Sequence, residues 1–234
     1  MANPAVLLHE ILESFRTSPN AAPINTRRER YPSEDAMNSV HRRAMAHIAA
    51  IEELLAGLEA SGRRVQQYQR ALNRWQQWVM VYGQSWIHPI SSNVFDNEAD
   101  LDLLAALADT LELVVPAVAA EERQSLREAT EVVQALLEED TDLPSDLRRH
   151  IFGLLSHART CLDEYETFGD FELRSAMERL LVSVTLAGNV SQNTKWQAAK
   201  EKFWFPTISG LIIGAPANAA AMITALSSTP GAGG

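Results

Sequence analysis

The amino-acid sequence predicts an all-α fold: a multi-helix bundle that begins with a helical hairpin of heptad character and ends in a hydrophobic helix. Three observations carry that expectation. Apolar residues recur at helical spacing between Pro- and Gly-rich breaks, and no segment alternates with the two-residue period of a half-buried strand. A seven-residue repeat runs from Met37 to Trp86. Residues 203–226, FWFPTISGLIIGAPANAAAMITAL, form a 24-residue run without a charge in a chain that is 21% charged. With 234 residues and 46% hydrophobic content, the chain can bury a sizeable core and is too apolar to be disordered throughout.

The first element is a short amphipathic helix over 5–16, where Leu7, Leu8, Ile11, Leu12 and Phe15 share a face after Pro4. Residues 17–32 hold three prolines and several small polar residues and read as a linker. Ser33 is a good N-cap, with Glu34 and Asp35 in the first turn, where the helix dipole favours negative charge. The heptad seam then alternates between Met37, Ala44, Ile51, Leu58, Val65, Leu72, Val79 and Trp86 and the set Val40, His47, Leu54, Ser61, Tyr68, Trp75 and Tyr82. His47 and Ser61 are its polar exceptions, and His47 reads as a tolerated polar residue that helps fix register. Ser61-Gly62 carries a C-cap signal, so two helices, 34–60 and 64–87, are expected in place of one continuous rod. Pro89 ends the second.

After a loop at 89–97, amphipathic helices are expected over 98–114, broken by Pro116, over about 120–139, and over 144–167, stopping at Gly169. Asp170 is placed to cap a further helix, which Gly188 ends near Ala187. The organisation that follows is 1–32 as helix and linker, 33–92 as the hairpin, 93–190 as an acidic helical bundle, and 191–234 as a basic and aromatic collar, hydrophobic helix and tail. The stretches VQQYQRALNRWQQWV and DLRRHIFGLLSHARTCLDEYETFG look like helical bacterial proteins of unassigned function, a resemblance that implies no activity.

The net charge of −10 is uneven. Residues 93–190 hold seven arginines against twenty-one acids, whereas 1–92 hold ten arginines against eight acids. So acidic a middle excludes a phosphate-binding face there, and no nucleic-acid partner is expected. The single Cys161 cannot form an intramolecular disulfide, and the first residues lack the basic start of an export signal.

Signals for chemistry are weak. The sequence contains no phosphate-cradling or nucleophile-elbow motif, and His9-Glu10-Ile11-Leu12-Glu13 lacks the second histidine of a zincin helix. His150, His157, Cys161 and Glu164 share one face of the 144–167 helix, but two soft ligands without a partner pair do not make a site. No catalytic residue, metal or cofactor is therefore expected. Aromatics are dense on the second hairpin helix, and Trp75, Trp78, Tyr82 and Trp86 are the candidate partner surface, with core packing as the competing role.

The C-terminal run has the strongest context. Lys195, Lys200 and Lys202 are the only lysines in the chain, and with Trp196, Phe203, Trp204 and Phe205 they form a candidate membrane-interface collar. As a helix, residues 208–226 would span about 28 Å, close to the hydrocarbon thickness of a bilayer. Gly210 and Gly214 make a GxxxG at which two such helices can approach closely. Pro206, Pro216 and Asn218 interrupt the run. The functional expectation is a non-enzymatic bacterial helical protein, tail-anchored by 206–226 with its N-terminal domain cytoplasmic. It would act through a protein partner or self-association, as membrane-perturbing effectors do. The alternative is a cytoplasmic, homo-oligomeric scaffold or adaptor with the apolar segment inside its own core.

Overall fold

The computed structural model describes residues 3–16, 30–80 and 97–199. Those residues form seven helices in the order α1 (Pro4–Ser14), α2 (Glu34–Ala60), α3 (Gln66–Met80), α4 (Glu98–Glu112), α5 (Ala120–Glu139), α6 (Ser145–Asp163) and α7 (Tyr165–Val190), with a last helical turn at 195–199. Among the described residues there is no strand, and no helix is long and apolar enough to cross a membrane. The run 203–226 lies outside them, and with it Lys200, Lys202, Phe203, Trp204, Phe205, Gly210 and Gly214.

The first four helices share one core. Asn3 starts α1 by accepting from the amides of Ala5 (3.0 Å) and Val6 (3.2 Å), while its own Nδ2 donates to the Ala108 carbonyl of α4 at 3.0 Å. One side chain thus caps a helix and joins it to a neighbour. Leu8 and Leu12 of α1 and its C-cap Phe15 are fully buried, and α1 packs on α2 and α4, so the short N-terminal helix is a structural member of the bundle. Ser33 Oγ accepts from the Ala36 amide at 3.1 Å to open α2. At its other end the Gly62 amide donates to Glu59 O (2.8 Å) and the Arg63 amide to Leu58 O (3.0 Å), with Gly62 at φ 84°. That pair of bonds is a Schellman closure, which needs a left-handed residue, and it folds α3 back onto α2 as a hairpin.

Trp75 and Trp78, candidates for a partner surface, are 0% and 2% exposed and belong to the core. Trp75 also donates from Nε1 to the Asp100 carbonyl at 3.0 Å, which locks α3 to α4. Tyr82 and Trp86 lie outside the described residues.

The second core gathers α5, α6, α7 and the turn at 195–199. The acidic segment 93–190 is therefore divided, because α4 packs with the hairpin while α5 to α7 form their own core. Trp196 corrects a further expectation. It is fully buried, and its indole N–H donates to Asp140 Oδ2 at 2.6 Å, so it closes the second core and offers no face to a membrane interface. Asp140 also accepts from Ser191 Oγ (2.6 Å) and the Asp142 amide (2.9 Å). Burial alone would raise the Asp140 pKa, and these bonds, with one from the Leu143 backbone, more than offset it, so the carboxyl is held below its usual range. Lys195 of the collar pairs with Glu139 at 2.5 Å and stays exposed.

Helix α7 differs from expectation at both ends. The chain breaks first at Glu164 (φ −106°, ψ 39°), and one helical turn follows before Gly169 at φ 73°, ψ −175°. That conformation is open almost only to glycine. At the other end α7 runs past Gly188 to Val190, since Gly188 is there for space: a Cβ would lie 3.1 Å from Gln197 Nε2 and 3.5 Å from Trp196 Cβ.

Two stability outcomes follow. Trp196→Ala removes a fully buried indole and leaves Asp140 short of a donor, so it should cost about 3–5 kcal/mol in urea denaturation. Gly169→Ala should cost roughly 1–3 kcal/mol by the same measurement, from backbone strain alone.

Candidate functional site: a cleft between the two cores

The α7 helix belongs to the second core but also packs on α1 and α2, with Phe171 reaching the first core. The linker between the cores is pinned to it. Asp170 Oδ1 accepts from the Val118 amide at 2.6 Å and from the Tyr165 hydroxyl, and Arg174 Nε donates to Pro116 O at 3.2 Å. Arg123 donates to Val118 O at 2.6 Å and lies over the Tyr165 ring, 4.1 Å from its centroid. Asp170, expected as a helix cap, thus holds the junction of the two units.

Between α2 and the α6–α7 corner this junction leaves a cleft of about 330 Å³. Arg42, Arg43 and His47 of α2 line one side, and His157, Glu164 and Glu172 line the other. Cations thus face carboxylates across a half-enclosed space. The small residues Ala46 and Ala50 lie on the α2 side, where larger side chains would fill the volume.

His47 is inward, as its place in the heptad seam implies, and it faces the cleft. It is 6% exposed, it lines this cleft, and its Nε2 has no hydrogen-bond partner among the described residues. Burial and the neighbouring Arg43 charge lower its pKa to about 4, with the Thr167 backbone opposing both. The imidazole is therefore neutral at pH 7. Arg43 Nε is buried and likewise without a partner among the described residues.

On the opposite wall His157 and Cys161 share a face of α6, four residues apart, with Nε2 and Sγ separated by 3.8 Å. Glu172 arrives from α7, and its Oε1 lies 3.0 Å from His157 Nε2. Sequence spacing puts Glu164 on this face with His150, His157 and Cys161. The Glu164 and Gly169 breaks turn the chain back on itself, so the carboxylate that meets the histidine comes from Glu172. Cys161 is fully buried, and its pKa is pushed up to about 12 by burial and then by the Glu172 charge. His150, also on the expected face, is not part of the group.

Compared with protein-family models, curated proteins and solved structures, the chain finds no match.

The buried neutral His47 makes folding pH-dependent. Between pH 6.5 and about 4 the unfolded chain protonates this imidazole and the folded one does not, so stability falls as pH drops through that window. The loss should total roughly 3 kcal/mol. Denaturation midpoints at pH 7 and pH 4.5 should show a smaller acid-induced decrease in His47→Leu than in the parent chain.

Proposed function

We propose that this protein is a non-enzymatic helical scaffold that acts by association, with residues 206–226 as its membrane anchor. The observation that carries this reading is the position of Trp196. Among the described residues the second core already includes Trp196 and Ala199, a few residues before the uncharged run begins in the sequence at Phe203, which supports reading that run as separate from this core. Lys200 and Lys202 then stand between that unit and the apolar run, the order expected of a helix entering from the cytoplasmic side. Gly210 and Gly214 supply a face for pairing of two anchors, and a protein partner or a second copy is the object of the association.

A second reading, a cytoplasmic scaffold with the run folded onto its own surface, is favoured by one feature of α7. Val182, Leu186 and Val190 recur every four residues on that helix and are each about half exposed. Three large apolar side chains in a row form a stripe on which an apolar segment can lie.

Truncation after Lys202 separates the two. With the run as an anchor, the full chain co-floats with phospholipid vesicles, whereas the 1–202 chain stays behind with unchanged helical circular dichroism and an unchanged melting midpoint. Gly210→Ile with Gly214→Ile should then weaken self-association in detergent without abolishing flotation. If the full chain fails to float and the truncated chain melts lower or aggregates, the anchor is disproved and the docked segment takes its place.

A further inference from the structure

We propose that His157, Cys161 and Glu172 bind a divalent cation of borderline softness, of which Zn²⁺ is the type, at the corner where α6 meets α7. The donor set is of the right kind: imidazole nitrogen, thiolate sulfur and carboxylate oxygen are the three side-chain ligands that such a cation takes. Its spacing is right as well. The three donor atoms all lie within 4.8 Å of one another, with 3.0 Å between imidazole and carboxylate and 3.8 Å between imidazole and sulfur. In a tetrahedral site with ordinary metal–ligand lengths, neighbouring donors are about 3.5 Å apart. The observed separations lie within about 1.3 Å of that value.

A second observation points to the same place. His157 and Glu172 line the interunit cleft, and the wall across from them carries His47, whose buried Nε2 has no partner among the described residues. A buried imidazole nitrogen left without a partner costs stability, and such groups in a folded protein call for a ligand or an ordered water. An unsatisfied imidazole thus lines the same cavity as two of the three ligands, His157 and Glu172, while Cys161 is fully buried.

Binding changes the protons in a defined way. In the metal-free protein the His157 Nε2–H donates to the Glu172 carboxylate. Ligation at Nε2 requires the neutral ring to carry its proton on Nδ1 instead, and the Cys161 thiol loses its proton to solvent as the sulfur–metal bond forms. The carboxylate exchanges its hydrogen bond for the cation. One proton is released for each cation bound, and no oxidant or reductant is involved. The metal joins the last turns of α6 to the part of α7 that follows Gly169, so it holds shut the corner that shapes the cleft.

The test exploits Cys161 as the only cysteine of the chain. Co²⁺ added to the purified full-length protein should bind one per chain and give thiolate-to-cobalt charge transfer in the near ultraviolet, with the intense visible bands of a tetrahedral ion. Zn²⁺ should displace it. That charge transfer can come from no other residue, so binding at other histidines leaves it absent. Cys161→Ser should abolish it. Glu172→Gln, at a half-buried position, should weaken Co²⁺ binding tenfold or more while keeping the band, and it keeps the test valid if the cysteine variant does not fold. The site is overturned if saturating Co²⁺ gives no thiolate charge transfer. It is overturned equally if Glu172→Gln and His157→Gln bind Co²⁺ with parental affinity.

Discussion

Everything that gives this molecule a cleft depends on one buried carboxylate and the glycine before it. Asp170 is 1% exposed and takes the Val118 amide at 2.6 Å, which fixes the connection between two hydrophobic cores. A buried carboxylate is costly to hold unless hydrogen bonds replace its water, and here an amide and the Tyr165 hydroxyl do so. Gly169 makes the arrangement reachable, since its φ of 73° with ψ of −175° turns the chain where any other residue would be strained. That turn sends Phe171 towards the first core and Glu172 towards His157. Packing, junction and donor cluster are consequences of the same four residues.

Asp140 has a parallel role at the far end of the second core. It ends α5, then accepts from Asp142, Ser191 and Trp196, so the chain after α7 is drawn back over Gly188. A tryptophan that is amphipathic in principle has its polar atom satisfied and its ring buried, which is how an indole becomes core. The two carboxylates organise the molecule in similar fashion, each tying an irregular segment to a helix bundle. Lys195, one residue before Trp196, keeps its ammonium group in solvent beside Glu139, so polarity alternates sharply between these two neighbours.

The helices themselves were legible because their signals are local. Ser33 with Glu34 and Asp35, Gly62 after an apolar run, and the period of Leu101, Leu104, Ala108 and Leu111 act through the backbone within a few residues. The Asn3 cap was equally local and could have been found as an Asn-Pro start to a helix. The candidate site was only half legible. His157 and Cys161 could be paired by their spacing of four, but Glu172 lies eleven residues beyond Cys161 and across two breaks, so no periodicity connects them. His47 was read from its place in the seam, which says that a residue is inward and not which neighbour it meets.

The sequence by itself determined the class of fold, the helix starts and stops ahead of Glu164 among the described residues and the uneven charge, because capping, periodicity and proline sterics act over a few residues of one chain segment. The tertiary structure alone decided which helices share a core and which inward residues are core or cleft. It moved α4 from the acidic bundle to the first core, buried Trp75, Trp78 and Trp196, and set His47 across from His157 and Glu172. Those outcomes depend on burial and on hydrogen bonds between groups 50 residues or more apart, such as Val118 with Asp170 and Asp140 with Trp196. Energies of that kind come from the packing partner, and a partner is a property of the folded chain.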